Sequence, residues 1–406
     1  LSGLCAEVPP ADAVKVSSAR LVAVLSVANF AIGMGAFVVI GLIEPIASDL
    51  GVGPASAGTV LTTYALAYAV LSPLAVALTG RMGRRRLLGI ALGLFALGAL
   101  ASALSTSLAM LNAARVIAAL GAGMVTPVVA SIALATAAPG SEGRTLARVF
   151  FGLTLAQVLG VPVGSWIGYS VGWQSAFVIV AALSGVAAIA VLNVVPRRLS
   201  LQVNTLATLG EALADWRSLV AVLFTASYLG AVFVLYTYAG PLLSEVQGYD
   251  RNGVTLVLFM FGIGAVIGNN VGGWLNDRFG SRRTLMMTCL SQVLLLPLFA
   301  LLPMPDALLM LLALVWSMCG WSFMVAQQTR LVAQTPARQN VVLSLNAAAI
   351  YIGTAVGSAI GGALIPRVGL DSLGWWAGGF AILALLHLML SERLFRPSTM
   401  TKEVAS

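Results

Sequence analysis

Arg115 lies inside an otherwise uncharged apolar run, and no other basic residue sits as deep in such a run. An arginine at bilayer depth costs roughly 3 to more than 10 kcal/mol, so it has to face a wet cavity or an acidic partner. Glu44 abuts an apolar run at the same side of the bilayer. Burial would favour its protonated form and a neighbouring Arg115 its ionised form, an opposition that a proton carrier exploits when its surroundings change. The same residues also allow an arginine snorkelling to the interface and an ordinary helix end at Glu44-Pro45. Other chemistries are poorly served. There is one histidine, His387, and no GxSxG elbow, so a nucleophile and base for hydrolysis are not in place. The only lysines are Lys15 and Lys402, which removes a GxxxxGK[ST] phosphate loop. Cys5, Cys289 and Cys319 have no CxxC spacing, so neither a metal site nor a disulfide framework is indicated, and no cofactor is expected.

The elements that position these residues follow from composition. Of 406 residues 59% are hydrophobic and only 9% charged, where a soluble domain has about a quarter charged; the chain belongs in a lipid bilayer. Its net charge of +8 does not point to nucleic acid, because the basic residues are dispersed between apolar runs instead of forming one basic face. The first uncharged run, Leu21 to Ile43, has 23 residues, long enough at about 1.5 Å per residue to cross a core of about 30 Å. Further spans are expected near 57–79, 86–105, 109–136, 146–168, 173–195, 218–243, 253–275, 284–302, 307–329, 340–365 and 372–391, twelve in all. The long run Val149–Pro196 is divided at Gly168-Tyr-Ser-Val-Gly172, which supplies a tight turn.

The fold class is therefore all-α and integral to the membrane. Its expected parts are a disordered tail over 1–19, a six-helix bundle over 20–195, a cytoplasmic linker over 196–217, a second six-helix bundle over 218–395 and a tail over 396–406. In the linker, Leu206, Leu209, Leu213 and Trp216 recur at helical spacing opposite Glu211 and Asp215, the pattern of a short helix lying on the membrane surface. Nineteen basic residues fall in the two tails and the even-numbered connections, against Arg251 and Arg367 in the odd-numbered ones, which places both termini in the cytoplasm.

Two motifs repeat. Gly160-Val-Pro162-Val-Gly164-Ser-Trp-Ile-Gly168 returns 193 positions later as Gly353-Thr-Ala-Val-Gly357-Ser-Ala-Ile-Gly361, matching at six of nine positions. Glycines four apart give a helix a groove of bare backbone that a second helix can approach closely. Gly80-Arg-Met-Gly83-Arg84-Arg85-Arg86 recurs at offset 197 as Asp277-Arg278-Phe-Gly280-Ser-Arg-Arg. Two homologous halves are expected.

Gly41-Leu-Ile-Glu-Pro-Ile-Ala-Ser-Asp-Leu50, Ala77 to Leu88, Asn112-Ala-Ala-Arg115 with Gly121 and Gly123, and Gly160–Gly168 together resemble the major facilitator superfamily over essentially the whole chain, and within it the drug:proton antiporter and arabinose-efflux-like branch. The resemblance implies a secondary transporter that works by alternating access, moving a small organic molecule (a drug, sugar or nucleobase-like metabolite) out of the cell against protons. It implies a bacterial plasma membrane location and a monomer. Spans 1, 4, 7 and 10 line the cavity in that family, which makes Asn29, Tyr228, Tyr236, Trp316 and Gln327 the expected substrate contacts; interhelical glue is the other role such residues take. Arg115 matches an arginine linked there to proton movement, with Glu44 as the expected partner. The conformational motifs map to Gly83, Arg84 and Arg85, to Gly160, Pro162 and Gly164, and to Gly273, Asp277, Arg278 and Gly280. This chain has Gly80 where the first latch carries an Asp, an extra residue before Pro162, and Gly33-Met-Gly-Ala-Phe37 where the branch often has a mid-span acid.

Overall fold

A computed structural model describes residues 18–79, 82–138, 142–197, 210, 214–335 and 339–395. Most of the N-terminal tail, the C-terminal tail, the linker positions Leu206, Leu209 and Leu213, and Gly80 lie outside the described residues. Among the described residues there is no strand. Twelve helices are long and apolar enough to cross a membrane: α1 (Ala19–Asp49), α2 (Pro54–Val76), α3 (Arg84–Ala103), α4 (Leu108–Thr136), α5 (Arg144–Val171), α6 (Trp173–Val194), α7 (Trp216–Val246), α8 (Arg251–Phe279), α9 (Ser281–Leu301), α10 (Asp306–Gln334), α11 (Val341–Val368) and α12 (Leu373–Leu394).

The breaks fall where backbone chemistry requires them. Helix α5 runs through Gly168 and stops at Gly172, whose φ of 102° is open to glycine and strained for other residues. The turn from α8 to α9 uses Gly280 in the same way, at φ 79°. Helix starts are capped by Ser107, which accepts from the Met110 amide at 3.3 Å, and by Asp250, which accepts from Gly253 at 2.9 Å.

Several helices exceed their expected bounds, and two overrun their expected ends the furthest. Helix α1 does not end at Glu44-Pro45 but continues to Asp49, enclosing Pro45. Its last turn is anchored: Asp49 accepts hydrogen bonds from the Trp173 indole at 2.8 Å and from Gln174 at 3.0 Å, while Leu42, Ile43 and Ile46 are fully buried. Helix α10 carries on past 329 to Gln334 and takes Arg330 inside it. So Arg115 is not alone; a second arginine is enclosed because the fold supplies it with a partner.

The glycine repeat has the same job in both halves. Along α5, side chains built on Gly160, Gly164 and Gly168 would meet Met34, Val38 and Leu42 of α1; along α11, Gly353, Gly357 and Gly361 would meet Ala226, Gly230 and Val234 of α7. Both partner sets step by four, and they stand 192 residues apart, one from the repeat offset of 193. Each glycine helix thus packs on the first helix of its own half in one register, which is what duplicated bundles would do.

The halves touch through α2 with α11, α5 with α8, and the far ends of α1 and α7. Thr62 donates to Ser358 at 3.0 Å, and Ser358 donates to the Gly58 carbonyl at 3.2 Å. Thr255 donates to Ser165 at 3.4 Å and Arg251 to Ser170 at 3.2 Å. Each of these residues lies between the middle of its helix and the end remote from Ser18 and Phe395. Nearer the opposite end than these hydrogen bonds is the ring pair of Tyr68 and Tyr351, stacked with centroids 3.6 Å apart. The molecule is closed between its halves from mid-depth to that far end.

Candidate functional site

Where the closed seam stops, α1, α2, α4, α6 and α11 place one cation among aromatic rings. Gly35 of α1 lies close against α3 and α6, since a side chain there would meet Phe95 and Val180. Arg115 is 1% exposed, and its Nη2 donates to the Gly35 carbonyl at 3.0 Å. Its guanidinium carbon lies 4.1 Å from the Tyr64 ring centre and 5.6 Å from that of Phe177, so cation–π attraction replaces part of the lost hydration. Nε has no hydrogen-bond partner, and neither does the Tyr64 hydroxyl. Tyr351 reaches in from the second half, 6.4 Å from Tyr64 by ring centres.

Glu44 and Arg115 are not brought together. The arginine meets α1 at Gly35, nine residues before Glu44, which is about 13 Å along a helix. Nor does Arg115 snorkel, since its head group points into the bundle. Glu44 faces Tyr169 of α5 and, across the seam, Glu245 at the end of α7; its Oε2 has no hydrogen-bond partner.

The five expected substrate contacts are buried within their own halves. Asn29 donates to the Val149 carbonyl at 3.2 Å, tying α1 to α5. Tyr228 donates to the Gly320 carbonyl at 3.0 Å and stacks on Phe323. Tyr236 and Trp316 come together: Tyr236 stacks on Phe261 at 4.0 Å, Trp316 lies 5.9 Å from Tyr236, and its indole donates to Gln292 at 2.7 Å. Two small apolar pockets share Tyr236, Phe261 and Trp316 as a wall. Gln327 donates to the Ala221 carbonyl at 2.9 Å and to Thr225 at 3.1 Å, and accepts from Arg330 at 3.2 Å.

Arg330 completes that last network. It donates to Glu392 at 2.6 Å, to Gln327 and to Ser391, and Glu392 also lies 3.9 Å from Arg282 in the first turn of α9. His387 sits beside it, with Nε2 3.0 Å from the Val220 carbonyl and Nδ1 2.7 Å from Ser227. A carbonyl only accepts, so Nε2 carries a proton. Sequence reading missed Arg330, Glu392 and Tyr351. The first two carried a signal, an acid and a base each at the same end of its span.

Of the motif residues, Gly164 and Gly160 lie in the α1–α5 contact. Asp277 and Arg278 are exposed at the end of α8; Arg278 lies over Trp274 at 5.5 Å, and the ion pairs among the described residues do not include Asp277. Gly273 and Gly83 have open space around them, Arg84 is buried and Arg85 partly so. No cluster of three or more metal-ligating side chains occurs among the described residues.

A family model described as Major Facilitator Superfamily matches residues 25–347. The chain belongs to the major facilitator superfamily. Within this superfamily it is 30% identical over 370 residues to the uncharacterized MFS-type transporter YbcL of Bacillus subtilis, covering 90% of this chain and 94% of that one. It is 32% identical over 372 residues to a chloramphenicol resistance protein of Streptomyces lividans, covering 89% and 93%. In three dimensions it resembles a mutant of the nucleoside transporter NupG with a TM-score of 0.74 at 15% identity, covering 92% of this chain and 99% of that one. The chain is accordingly a membrane-embedded transporter of the secondary kind with the superfamily fold.

Proposed function

We propose that this transporter exports a small organic molecule in exchange for protons, by alternating access across a bacterial cytoplasmic membrane. The observation that carries the reading is the one-sided seam. The hydrogen bonds and ring contacts that join the halves run from mid-depth to the far end, and the buried cation and its tyrosines stand at their mid-depth limit. A binding site at that depth is reached from one side while the other is shut, and rocking the halves reverses the access. Efflux is supported by the likeness to the chloramphenicol resistance protein. Tyr236 and Trp316, which wall the pockets of the second half, are the proposed apolar contacts of the substrate, and the chain acts as a monomer.

Basic-residue placement supports an orientation in which the closed end faces outward and both termini are cytoplasmic. A reporter fused after Arg198 is expected to read cytoplasmic and one inserted at Gly248 external; reversal of both would overturn the orientation.

For coupling, Glu44 is the proposed proton acceptor, acting at the seam. When Glu44 and Glu245 are both ionised, two like charges face each other across the closed end; one proton removes that repulsion and lets the halves stay closed. In proteoliposomes with an imposed pH gradient and a substrate panel, Glu44→Gln is expected to lose gradient-driven flux while counterflow of unlabelled against labelled substrate persists. Full gradient-driven flux in Glu44→Gln removes Glu44 as carrier. It then favours uniport, the reading that the lack of a mid-span carboxylate also supports.

A further inference from the structure

Among the described residues three arginines are buried; Arg84 stands at the first turn of α3, whereas Arg115 and Arg330 lie further inside their helices, and the surroundings of these two differ. Arg330 has Glu392 at 2.6 Å. Arg115 has no such partner: the ion pairs among the described residues are those of Glu392 with Arg330 and Arg282. A guanidinium 1% exposed, with a backbone carbonyl and aromatic faces for company, is a charge whose counter-ion the protein does not supply. Two donors nearby are also unused, Arg115 Nε and the hydroxyl of Tyr64, itself 1% exposed. Buried donors without acceptors are costly and rare, and two beside one cation define a place for an anionic acceptor. The rings of Tyr68 and Tyr351 close over this place from opposite halves, 3.6 Å apart, and only partly buried Tyr351 borders the open side.

We propose that Arg115 and Tyr64 receive a negatively charged group on the transported molecule, so that the substrates are organic anions carrying a planar ring. The carboxylate, or a comparable anion, would accept from Nε and from the Tyr64 hydroxyl, supplying the missing counter-charge. The ring would take up the face-to-face contact that Tyr68 and Tyr351 now make with each other. The anion is held by side chains of the first half, while Tyr351 belongs to the second, so an occupied site reports directly on the seam. The proposal rests on the transporter reading and narrows it.

The test is equilibrium binding, without any gradient, to the purified full chain in lipid nanodiscs. Benzoate, salicylate and 1-naphthoate are titrated by calorimetry alongside benzamide, salicylamide and 1-naphthamide, which keep ring and shape but lack the charge. At least one acid is expected to bind about tenfold or more tighter than its amide, the scale of a lost charge-assisted hydrogen bond. Arg115→Gln is expected to abolish that preference, and Tyr64→Phe, which keeps the ring over the guanidinium, to weaken acid binding about three- to tenfold. Equal affinity for acid and amide, no binding by any of the three acids, or an unchanged preference in Arg115→Gln overturns the proposal. Should Arg115→Gln fail to fold, unchanged acid affinity in Tyr64→Phe overturns it equally. Gradient-driven export of neutral compounds alone would keep the transporter reading and remove this one; selective acid binding without flux would do the reverse.

Discussion

Replacing Glu392 with alanine is expected to destabilise the protein by about 3–5 kcal/mol, because removing one partner of a buried ion pair leaves the other charge uncompensated. The side chain of Arg330 is 3% exposed and that of Glu392 18%, so Arg330 would be stranded beside Phe224 with only Gln327 and Ser391 as acceptors. Partial exposure of Glu392 puts the expected loss nearer the lower figure. Arg282 is a different case. Its side chain is 53% exposed and 3.9 Å from the carboxylate, and exposed pairs contribute about 0–1 kcal/mol, so Arg282→Ala should leave thermal unfolding almost unmoved. The paired change Arg330→Met with Glu392→Leu should recover most of what Glu392→Ala loses, since apolar replacement of a whole buried pair is often neutral. Thermal unfolding of the three variants in detergent checks this. A Glu392→Ala protein as stable as the parent, or a double variant no better than the single, contradicts the assignment.

The second large effect concerns the glycine grooves, and it should be unequal in the two halves. A side chain on Gly357 meets backbone, the Gly230 carbonyl group, with the Phe233 Cβ at 3.0 Å; on Gly164 it meets chiefly the Val38 side chain, with the carbonyl oxygen at 3.1 Å. Backbone held in a helix cannot step aside, whereas a valine methyl yields some of its space, within the limit that its stiff χ1 sets. Overpacking typically costs about 1–3 kcal/mol, so Gly357→Leu is expected at the upper end or beyond and Gly164→Leu near the lower. Gly160, where the nearest atom is the Met34 sulfur at 3.4 Å, should accept alanine at little cost. The readout is folded yield by size-exclusion together with the unfolding midpoint. The reverse ranking of Gly164→Leu and Gly357→Leu would show that the close approach of α11 to α7 does not limit packing.

Hydrophobic run length found all twelve spans, because a bilayer tolerates few charges and a helix needs a fixed number of residues to cross it. The turn at Gly172 was legible from a glycine-rich break, though the helix used only its last glycine, the one with positive φ. The duplication was legible too, and even its offset carried over to the packing. What escaped was pairing over long sequence distance. A window that counts charges ends a helix before Arg330, because nothing local shows that Glu392, 62 residues on, will bury it. Pro45 looked like a helix end, because the indole of Trp173 that holds Asp49 lies 124 residues away. The aromatic roof required Tyr68 to find Tyr351 across the two halves, and no periodicity within either helix announces that. Sharing a side of the membrane suggested that Glu44 would meet Arg115, but two and a half turns of α1 separate them.

The one-sided seam also sets an energy scale for switching. A shift from 1:99 to 99:1 between two states needs about 5.5 kcal/mol of differential affinity. Four hydrogen bonds across the seam among the described residues, Thr62 to Ser358, Ser358 to Gly58, Thr255 to Ser165 and Arg251 to Ser170, come to about 2–3 kcal/mol at the roughly 0.6 kcal/mol typical inside a bilayer. Polar contacts alone therefore leave the closed seam weaker than a decisive switch, and the difference falls to close packing, above all the Tyr68–Tyr351 stack and the approach of Gly262 to Val158. A molecule that prises two rings apart while satisfying a cation beneath them acts directly on one of these terms, so the seam can be loosened from mid-depth as well as from the loops.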